Sequence, residues 1–145
     1  MKYQIKIFDY HSSQYKLALQ LRDRVLRQPL GLKFTPEELK KDEEDSHFGL
    51  FDGDVVLACL TLTKSENGRM KMRQVAVDDS FQGKGLGREL SAAAEAYAIK
   101  QGFKTMFCNA RKTAVPFYQK LGYKIVGDEF VEVNIPHYLM EKNLI

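Results

Sequence analysis

The chain has 145 residues, a formal net charge of +3 and two cysteines, which predicts one globular domain over 1–145 that builds its core without disulfides or metal. No apolar run reaches the ~20 residues that span a bilayer, and no signal peptide opens the chain, so we expect a cytoplasmic protein without a membrane partner. The mild positive charge favours an anionic ligand, whereas nucleic-acid binding usually requires a denser basic face.

The first part of the chain predicts a strand followed by two helices. Residues 2–9 alternate polar and apolar side chains, as a strand does. A helix follows the cap at residues 11–13 and should end before Pro29, because the residue preceding a proline avoids the helical region. Residues 35–38 start a second helix with a threonine cap, a proline and a glutamate three residues after the cap. The acidic residues 42–45 are expected in a solvated loop.

The middle of the chain predicts three antiparallel strands and a crossover. The strands cover residues 47–51, 55–62 and 70–77, with turn residues between them. A glycine-rich loop then opens a helix that ends at Gly102. A strand over 103–108 should lie parallel to the strand before the loop, since a helix connects the two.

The last part predicts one more helix and two strands. A polar loop over 109–112 leads into a helix over 113–121, and strands over 123–127 and 137–142 flank a loop. The order β-α-α-β-β-β-α-β-α-β-β indicates an α/β (α+β) fold. We expect a mixed, mostly antiparallel sheet of six to seven strands flanked by about four helices.

The loop before the long helix is the strongest functional signal. Gly83, Gly85 and Gly87 leave backbone N–H groups with few side chains in front of them, at a helix start that favours an anion such as a phosphate. Lys84 and Arg88 add positive charge. A nucleotide-triphosphate loop requires Gly-x-x-x-x-Gly-Lys-Ser/Thr, which the sequence lacks, and a dinucleotide fingerprint requires a third glycine where Arg88 stands.

The segment from Gln82 to Gly87, after a Val-Ala-Val strand, resembles the acetyl-CoA site of the GNAT N-acetyltransferases. Their signature Gln/Arg-x-x-Gly-x-Gly/Ala is matched by Gln82, Gly85 and Gly87, and a second landmark is Asn109 followed by residues 114–123. The resemblance covers the whole domain and implies the GNAT fold, with parallel strands that splay at the cofactor site. It implies acetyl-CoA as cosubstrate, with no metal, held by a set of backbone and side-chain groups: Val75, Ala76, Val77, Gln82, Gly83, Lys84, Gly85, Leu86, Gly87, Arg88, Asn109 and Phe117.

Four short segments carry a narrower resemblance: Leu21-Arg22 with Leu26-Arg27, Arg73, residues 108–111 and residues 136–140. They look like the glyphosate N-acetyltransferase group within the GNATs. In that group a histidine after a proline is the base and the tyrosine of the second motif is the acid, which implies these roles for His137 and Tyr118. Arginines that match Arg27, Arg73 and Arg111 hold an acidic substrate there. The turn after Arg27 and the loop before the C-terminal histidine depart from the group's pattern, and these segments shape the acceptor pocket.

The residues by themselves leave alternatives open. Tyr118 fits a core tyrosine of an amphipathic helix as well as an acid, and a strand histidine such as His137 is often structural. His47 is the reserve base, followed by a water-relayed carboxylate such as Glu132 or Asp45. The arginines can equally pair with surface carboxylates, and those of the first helix can form a solvated basic face.

We therefore expect direct transfer of an acetyl group from acetyl-CoA to the amine of a small, acidic acceptor. Both cysteines, Cys59 and Cys108, are expected to be buried free thiols, with Cys108 used for packing rather than as an acyl carrier. The alternatives are transfer to a protein lysine or N-terminus, and a CoA-binding module without catalysis. No nucleic-acid partner is expected, and exposed strands near the C terminus make a homodimer plausible.

Overall fold

Seven strands form one sheet in this computed structural model, which describes residues 3–145. The strands are β1 Gln4–Phe8, β2 Ser46–Asp52, β3 Val55–Lys64, β4 Arg69–Val77, β5 Thr105–Arg111, β6 Lys124–Glu132 and β7 Ile135–Asn143. The α-helices are α1 Ser13–Arg22, α2 Pro36–Lys40, α3 Leu86–Lys100 and α4 Val115–Lys120. Within residues 3–145, no helix combines the length and the apolar character needed to cross a bilayer.

The strand order across the sheet is β1-β2-β3-β4-β5-β7-β6. Pairing is antiparallel for β1 with β2, β2 with β3, β5 with β7 and β6 with β7, and it is parallel for β4 with β5. The predicted element order and the mixed, mostly antiparallel sheet with four helices are confirmed. Residue 2 of the predicted first strand lies outside the described residues.

Internal contacts divide the chain into two compact units. The N-terminal unit contains the residues up to Thr63 together with Gln74–Ala94, and the C-terminal unit contains Lys64–Arg73 and Glu95–Ile145. A cluster of apolar side chains forms a core of the N-terminal unit: Phe8, Tyr15, Ala18, Leu21, Phe51, Val56, Cys59 and Ala76. In the C-terminal unit, alternate residues of β5 and β7 are buried on one face: Met106, Cys108, Ala110 and Met140.

Glycines follow the ends of α3 and α4, and the first of them, Gly102, is the helix end that the sequence predicts. Gly102 has a φ of 90°, and the following Phe103 N–H donates a hydrogen bond of 2.9 Å to the carbonyl of Ala98. A left-handed residue just past a helix end lets the last carbonyls find donors, and glycine adopts that conformation without a Cβ penalty. Gly122, with a φ of 96°, ends α4 in the same way.

Two segments expected to be loops are strands. Residues 109–111 complete β5, and β6 and β7 extend until only Val133 and Asn134 separate them, both with positive φ. The polarity of these segments suggested loops, but their backbone groups pair across β5, β7 and β6. Polar side chains are compatible with a strand that has one exposed face, so polarity alone misplaced these boundaries.

The expectation of a solvated acidic loop is wrong for Asp42. Its carboxylate is fully buried and accepts hydrogen bonds from Arg22 at 2.8 Å and from the Tyr15 hydroxyl at 2.6 Å. Arg22 is itself 2% exposed, so a solvated basic face is also wrong for this arginine. A buried carboxylate requires such partners, because transfer of an unpaired charge from water to a protein interior is costly.

His47 belongs to the same buried cluster. Its Nε2 donates to the Asp42 carbonyl at 2.8 Å, which leaves Nδ1 to accept from the Thr61 hydroxyl at 2.9 Å. Burial lowers the pKa of His47 and favours the neutral ring. Both ring nitrogens are therefore used in structural hydrogen bonds, which excludes His47 as the reserve base.

Asp42→Ala should reduce the free energy of unfolding by about 3–5 kcal/mol, because it leaves the buried Arg22 guanidinium without its carboxylate. Urea unfolding followed by circular dichroism measures this change. Glu43→Ala is the control, since the exposed neighbour should change stability by no more than about 0.5 kcal/mol. Equal stabilities for the two variants would show that the buried pair is not needed to hold the fold.

Candidate active site

The glycine loop of the N-terminal unit lies between a 3-10 turn, Asp79–Phe81, and the start of α3. Gly83 and Gly85 have φ angles of 79° and 81°, a region that residues with a Cβ adopt only at a cost. A Cβ built on either glycine meets no atom within 4 Å among the described residues. The backbone conformation, rather than crowding, therefore requires glycine at both positions.

The beginning of α3 has the geometry of an anion site. The Glu89 N–H donates to the Gly85 carbonyl at 3.0 Å, so the amides of Leu86, Gly87 and Arg88 belong to the first turn, where no intrahelical acceptor precedes them. The Arg88 side chain and the nearby Lys84 are exposed. The loop and its two cations fit a pyrophosphate better than a neutral ligand.

Gln82 connects the beginning of the glycine loop to the end of β4 and to the 3-10 turn that follows it through two hydrogen bonds. Its Nε2 donates to the Val77 carbonyl at 3.2 Å and to the Asp79 carboxylate at 3.1 Å. The Asp78 carboxylate accepts from the Ser80 N–H at 2.9 Å, which caps the 3-10 turn. The signature glutamine thus joins the end of β4 to the glycine loop.

Arg27 lies in a π-helical turn, Asp23–Arg27, that continues α1. Its two terminal nitrogens donate to both carboxylate oxygens of Glu38, at 3.1 and 2.8 Å, and its guanidinium stacks 4.1 Å from the ring centroid of Phe34. Arg27 is buried rather than on a solvated face. The Arg27 guanidinium thus already binds the Glu38 carboxylate. The predicted role of Arg27 in substrate binding stays a prediction.

The C-terminal unit places three predicted site residues on one face of its sheet. Arg111 of β5 and His137 of β7 lie directly opposite each other in the antiparallel register, which puts their Cβ atoms roughly 4.5–5.5 Å apart. Asn109 is two residues before Arg111 and faces the same side. Arg111 also has other interactions within the described chain.

His137 is oriented by one hydrogen bond and one ring contact. Its Nδ1 bonds the Ile135 carbonyl at 2.9 Å; because a carbonyl oxygen only accepts, Nδ1 carries the proton and Nε2 carries the lone pair in the neutral ring. The ring stacks on Phe130, its cross-strand neighbour on β6, with centroids 5.8 Å apart. His137 is 4% exposed. An imidazole held with Nδ1 as the hydrogen-bond donor presents Nε2 as the nitrogen suited to accept a proton.

The parallel pairing of β4 with β5 in the C-terminal unit runs from Arg69–Thr105 to Lys71–Phe107. Arg73 lies two residues past Lys71, on the same face as that lysine. The next residue, Gln74, has a φ of 57°, a left-handed conformation that interrupts the regular alternation of a strand. Residues 75–77, which the family resemblance assigns to acetyl-CoA binding, follow immediately after this interruption.

Tyr118 of α4 lies near the opposite face of the same sheet. The Cys108 side chain points away from the Asn109 face, and its thiol adds to the effect of burial in raising the pKa of Tyr118. The Tyr118 ring makes edge contacts with Phe117 and Tyr123, at 5.0 and 5.7 Å between centroids. The raised pKa keeps the phenol protonated, so Tyr118 is a hydrogen-bond donor over the physiological pH range.

Cys108 is a packing residue in this arrangement. It is buried and free, and burial raises the pKa of its thiol to about 12. A thiol that stays protonated is a poor nucleophile. The geometry therefore does not favour an acyl carrier at this position, in agreement with the expectation from the sequence.

The sequence patterns missed the groups that orient the candidate residues. Glu38 was recognised as the glutamate of a capping box, but no pattern indicated that its carboxylate also binds Arg27. Phe130 contacts His137 across a hairpin whose length was not predicted, and the Ile135 carbonyl, two residues earlier in the same strand, accepts the hydrogen bond from His137 Nδ1. The Phe130 contact depends on strand register, and the Arg27 contact depends on the packing of two helical segments, neither of which has a direct signal in a single sequence.

Comparison with known proteins agrees with the GNAT resemblance of the sequence. A family model described as "Acetyltransferase (GNAT) domain" matches residues 28–144. An "Uncharacterized N-acetyltransferase YjcF" from Bacillus subtilis is 28% identical over 134 residues, which cover 92% of this chain and 95% of that protein.

Solved structures show the same fold. An acyl-CoA N-acyltransferase from Pseudomonas aeruginosa superposes with a TM-score of 0.84 at 19% identity, over 97% of this chain and 99% of that one. An aminoglycoside 6'-N-acetyltransferase complexed with coenzyme A superposes with a TM-score of 0.80 at 19% identity, over 98% and 97%.

The Glu38→Gln variant should show how much the ion pair between Arg27 and Glu38 contributes to the free energy of unfolding, because that contribution depends on pH. The ion pair lowers the pKa of Glu38 from 4.5 to about 2, so the folded chain binds fewer protons than the unfolded chain in this interval. The resulting stability is fully present above pH 4.5 and is lost as the pH falls towards 2. Glutamine retains the capping box, so the variant mainly removes the charge.

We expect the wild-type protein to be more stable than Glu38→Gln at pH 7, with a difference that shrinks as the pH is lowered from 4.5 to 3. Urea unfolding at a series of pH values measures it. Glu37→Gln, an exposed neighbour in the same helical turn, is the control. A wild-type advantage that stays constant over this interval would contradict the ion-pair explanation.

Proposed function

The chain belongs to the acetyltransferase (GNAT) family, and on that premise we propose that it transfers an acetyl group from acetyl-CoA to the amine of a small acceptor bearing a carboxylate or phosphonate. The observation that carries this proposal is the geometry at His137. Its Nε2 lone pair is set by the Nδ1–Ile135 hydrogen bond, and Arg111 lies opposite it in the sheet. One strand pair thus combines a base with a group that recognises anions.

His137 is the proposed base. An alkylamine with a pKa of ~10.4 is mostly protonated at neutral pH, so it must lose a proton before or during its attack on a thioester carbonyl. Nε2 of His137 takes that proton, and the imidazolium then forms two N–H donors. The Ile135 carbonyl stabilises the charged ring through the Nδ1 hydrogen bond that is already present.

Tyr118 is the proposed partner of the leaving sulfur. A free phenol has a pKa of ~10 and a thiol one of ~8.5, and burial raises the pKa of Tyr118 further. Complete proton transfer from Tyr118 to a thiolate is therefore unfavourable by itself. The Tyr118 hydroxyl instead stabilises the leaving sulfur by donating a hydrogen bond to it as negative charge builds while the carbon–sulfur bond breaks, and the released thiolate takes its proton from solvent.

The two roles lie on opposite faces of the sheet in the C-terminal unit. His137 and Arg111 face one side, whereas Tyr118 lies near Cys108 on the other. We place the reacting carbonyl where β4 and β5 have stopped pairing, past Lys71 and Phe107. An amine then approaches from the His137 face and sulfur leaves towards Tyr118, so both substrates react in one ternary complex.

We assign the acetyl-CoA contacts from the charge and hydrogen-bonding groups of the residues concerned. The open amides of the glycine loop, with Lys84 and Arg88, bind the pyrophosphate. The backbone of residues 75–77 pairs with the pantetheine arm and supplies an N–H to the oxyanion. Asn109 and Phe117 lie on β5 and α4 and complete the set that holds the thioester end. Structural neighbours crystallised with coenzyme A support a CoA ligand.

An acidic acceptor follows from the arginines. Arg111 and Arg73 are half-buried on the His137 side of the sheet, and a planar guanidinium recognises a carboxylate or phosphonate through two parallel hydrogen bonds. The narrower likeness to glyphosate N-acetyltransferases supports the same class of acceptor. The contact of Arg27 with the acceptor stays a prediction, since both terminal nitrogens of Arg27 already bind the Glu38 carboxylate. The buried free thiols support a reducing, cytoplasmic location.

Thiol release from acetyl-CoA with a panel of amines tests the function. We expect acidic amino acids or amino-phosphonates to react faster than polyamines, aminoglycosides or a lysine peptide. Arg111→Gln should raise the KM of the preferred acceptor by about 10- to 100-fold, the loss expected for a charge-assisted hydrogen bond. A preference for a polyamine, aminoglycoside or peptide would contradict the acidic acceptor. Tight CoA binding without turnover of any amine would contradict an enzyme.

His137→Gln should lower kcat/KM at pH 7 by about 10²- to 10⁴-fold, because glutamine keeps a donor for the Ile135 carbonyl but is not a base. The acidic limb of the pH–rate profile should disappear with the imidazole. His11→Gln, at an exposed histidine of the N-terminal unit, is the control. An unchanged acidic limb in His137→Gln would assign the proton transfer to another group.

Tyr118→Phe should lower kcat by at least about tenfold and change the KM of acetyl-CoA by less than about twofold, because it removes only a hydroxyl that acts on the leaving sulfur. Steady-state kinetics with the preferred acceptor measure both values. Tyr10→Phe, which removes a hydroxyl from the N-terminal unit, is the control. Full turnover by Tyr118→Phe would remove the assigned role of Tyr118.

A further inference from the structure

We propose that Tyr123 is a positioning residue for Tyr118, and that Glu95 and Lys142 hold Tyr123 in place. The inference rests on the proposed role of Tyr118 and extends it to three residues outside the candidate acetyl-CoA and acceptor contacts. All four residues belong to the C-terminal unit.

The first step is the way in which α4 ends. The N–H of Gly122 donates to the Gln119 carbonyl and the N–H of Tyr123 donates to the Tyr118 carbonyl, both at 3.0 Å. Together with the left-handed Gly122, this is the Schellman arrangement, in which the residue after the glycine packs against the residue five positions earlier. That apolar contact here joins Tyr123 to Tyr118 itself.

The second step is the ring contact. The rings of Tyr123 and Tyr118 lie 5.7 Å apart between centroids at an interplanar angle of 73°, a favourable edge-to-face geometry. Tyr123 is 2% exposed, so it does not turn into solvent. Tyr118 also contacts Phe117, but Phe117 is in the same helix and moves with it. Tyr123 lies beyond the end of the helix and therefore supplies an aromatic contact that relates Tyr118 to the rest of the unit.

The third step is the anchor of Tyr123. Its hydroxyl donates to Glu95 Oε2 at 2.9 Å, and Lys142 Nζ donates to Glu95 Oε1 at 2.8 Å. Glu95 lies on α3 and Lys142 lies on β7, so one carboxylate ties the end of α4 to a helix and to a strand. The Lys142 stem also runs past Gly122, where a built Cβ would lie 3.4 Å from it.

The size of α4 makes such an anchor useful. The helix has six residues, and a helix this short has little stability of its own. A displacement of about 1 Å at a reacting group can reduce a rate by as much as ~10²-fold. The network opposes a displacement of Tyr118 through a backbone hydrogen bond, a ring contact and a buried phenol that two charged side chains immobilise.

A double-mutant cycle tests the proposal with the preferred acceptor. Tyr123→Phe keeps the ring but removes the hydrogen bond to Glu95. We expect it to lower kcat by about 3- to 10-fold in the wild-type background, and by less than about 1.5-fold when Tyr118 is already phenylalanine. The KM of acetyl-CoA should change by less than about twofold in both backgrounds, because the network does not contact the proposed cofactor groups.

Matched variants at Glu95 separate positioning from general stability. Glu95→Gln retains an acceptor for the Tyr123 hydroxyl and should keep kcat within about twofold of the wild-type value, whereas Glu95→Ala should behave like Tyr123→Phe. If Tyr123 and Glu95 had a purely structural role, these variants would have lower melting temperatures, but their effect on kcat would be the same with and without the Tyr118 hydroxyl. Tyr123→Phe that leaves kcat unchanged, or lowers it by the same factor in both Tyr118 backgrounds, would overturn the proposal.

A second measurement requires no acceptor. In protein labelled with ¹³C in its tyrosine rings, the Tyr118 signals are assigned by their loss in Tyr118→Phe. We expect these signals to shift in Tyr123→Phe and Glu95→Ala, and to stay in place in Glu95→Gln and Tyr10→Phe. Unchanged Tyr118 signals in Tyr123→Phe would overturn the positioning role. If the signals shift while Tyr118→Phe retains full turnover, the proposed role of Tyr118 fails and the physical coupling stands.

Discussion

The limited parallel pairing between β4 and β5 is the constraint on which the candidate site depends. The two strands pair over three residues, from Arg69–Thr105 to Lys71–Phe107, in the C-terminal unit. Beyond that point Arg73 and Asn109 continue their strands, and β4 changes its backbone conformation at Gln74. In the proposed function, the amide groups of acetyl-CoA pair with the backbone of residues 75–77, just past this point.

The same arrangement divides the proposed chemistry between two faces. Arg111 and His137 lie opposite each other on one face, whereas Cys108 and the nearby Tyr118 lie on the other. Because His137 and Tyr118 lie on opposite faces, the tautomer of His137 and the pKa of Tyr118 can be set independently of each other. The hydrogen bond from Nδ1 to Ile135 selects the tautomer of His137, and burial keeps Tyr118 protonated. The proposed direct transfer in a ternary complex uses both faces at once and assigns no step to the buried thiol of Cys108.

Helix ends have more than one role in this chain. The capping box of α2 satisfies the first turn of the helix, and its glutamate also neutralises a buried arginine, Arg27. The glycine that ends α4 satisfies the last carbonyls, and the motif that it creates brings Tyr123 against Tyr118. Short helices require such termini for stability. Residues that complete a terminus are therefore well placed to hold a functional side chain, because their own position is already determined.

Local sequence patterns determined most of the architecture. The order of helices and strands, the glycine loop before α3 and the caps at Thr35 and Gly102 all follow from interactions between residues close in the chain. The patterns failed where partners are distant in sequence. Residues 109–111 were assigned to a loop and Asp42 to solvent, but strand pairing places the former in β5 and Arg22 buries the latter.

The sequence by itself predicted an anion site at the glycine loop, and through the GNAT resemblance it identified Tyr118 and His137 as candidates. Tertiary structure decided how those candidates are held. Register places Arg111 opposite His137, a hairpin of unexpected length brings Phe130 onto the same ring, and Glu95 meets Tyr123 from another helix. The physical reason is that a loop conformation or a helix cap is encoded within a few residues. A side chain's hydrogen-bond partner and protonation state, in contrast, depend on groups that only the folded chain brings together.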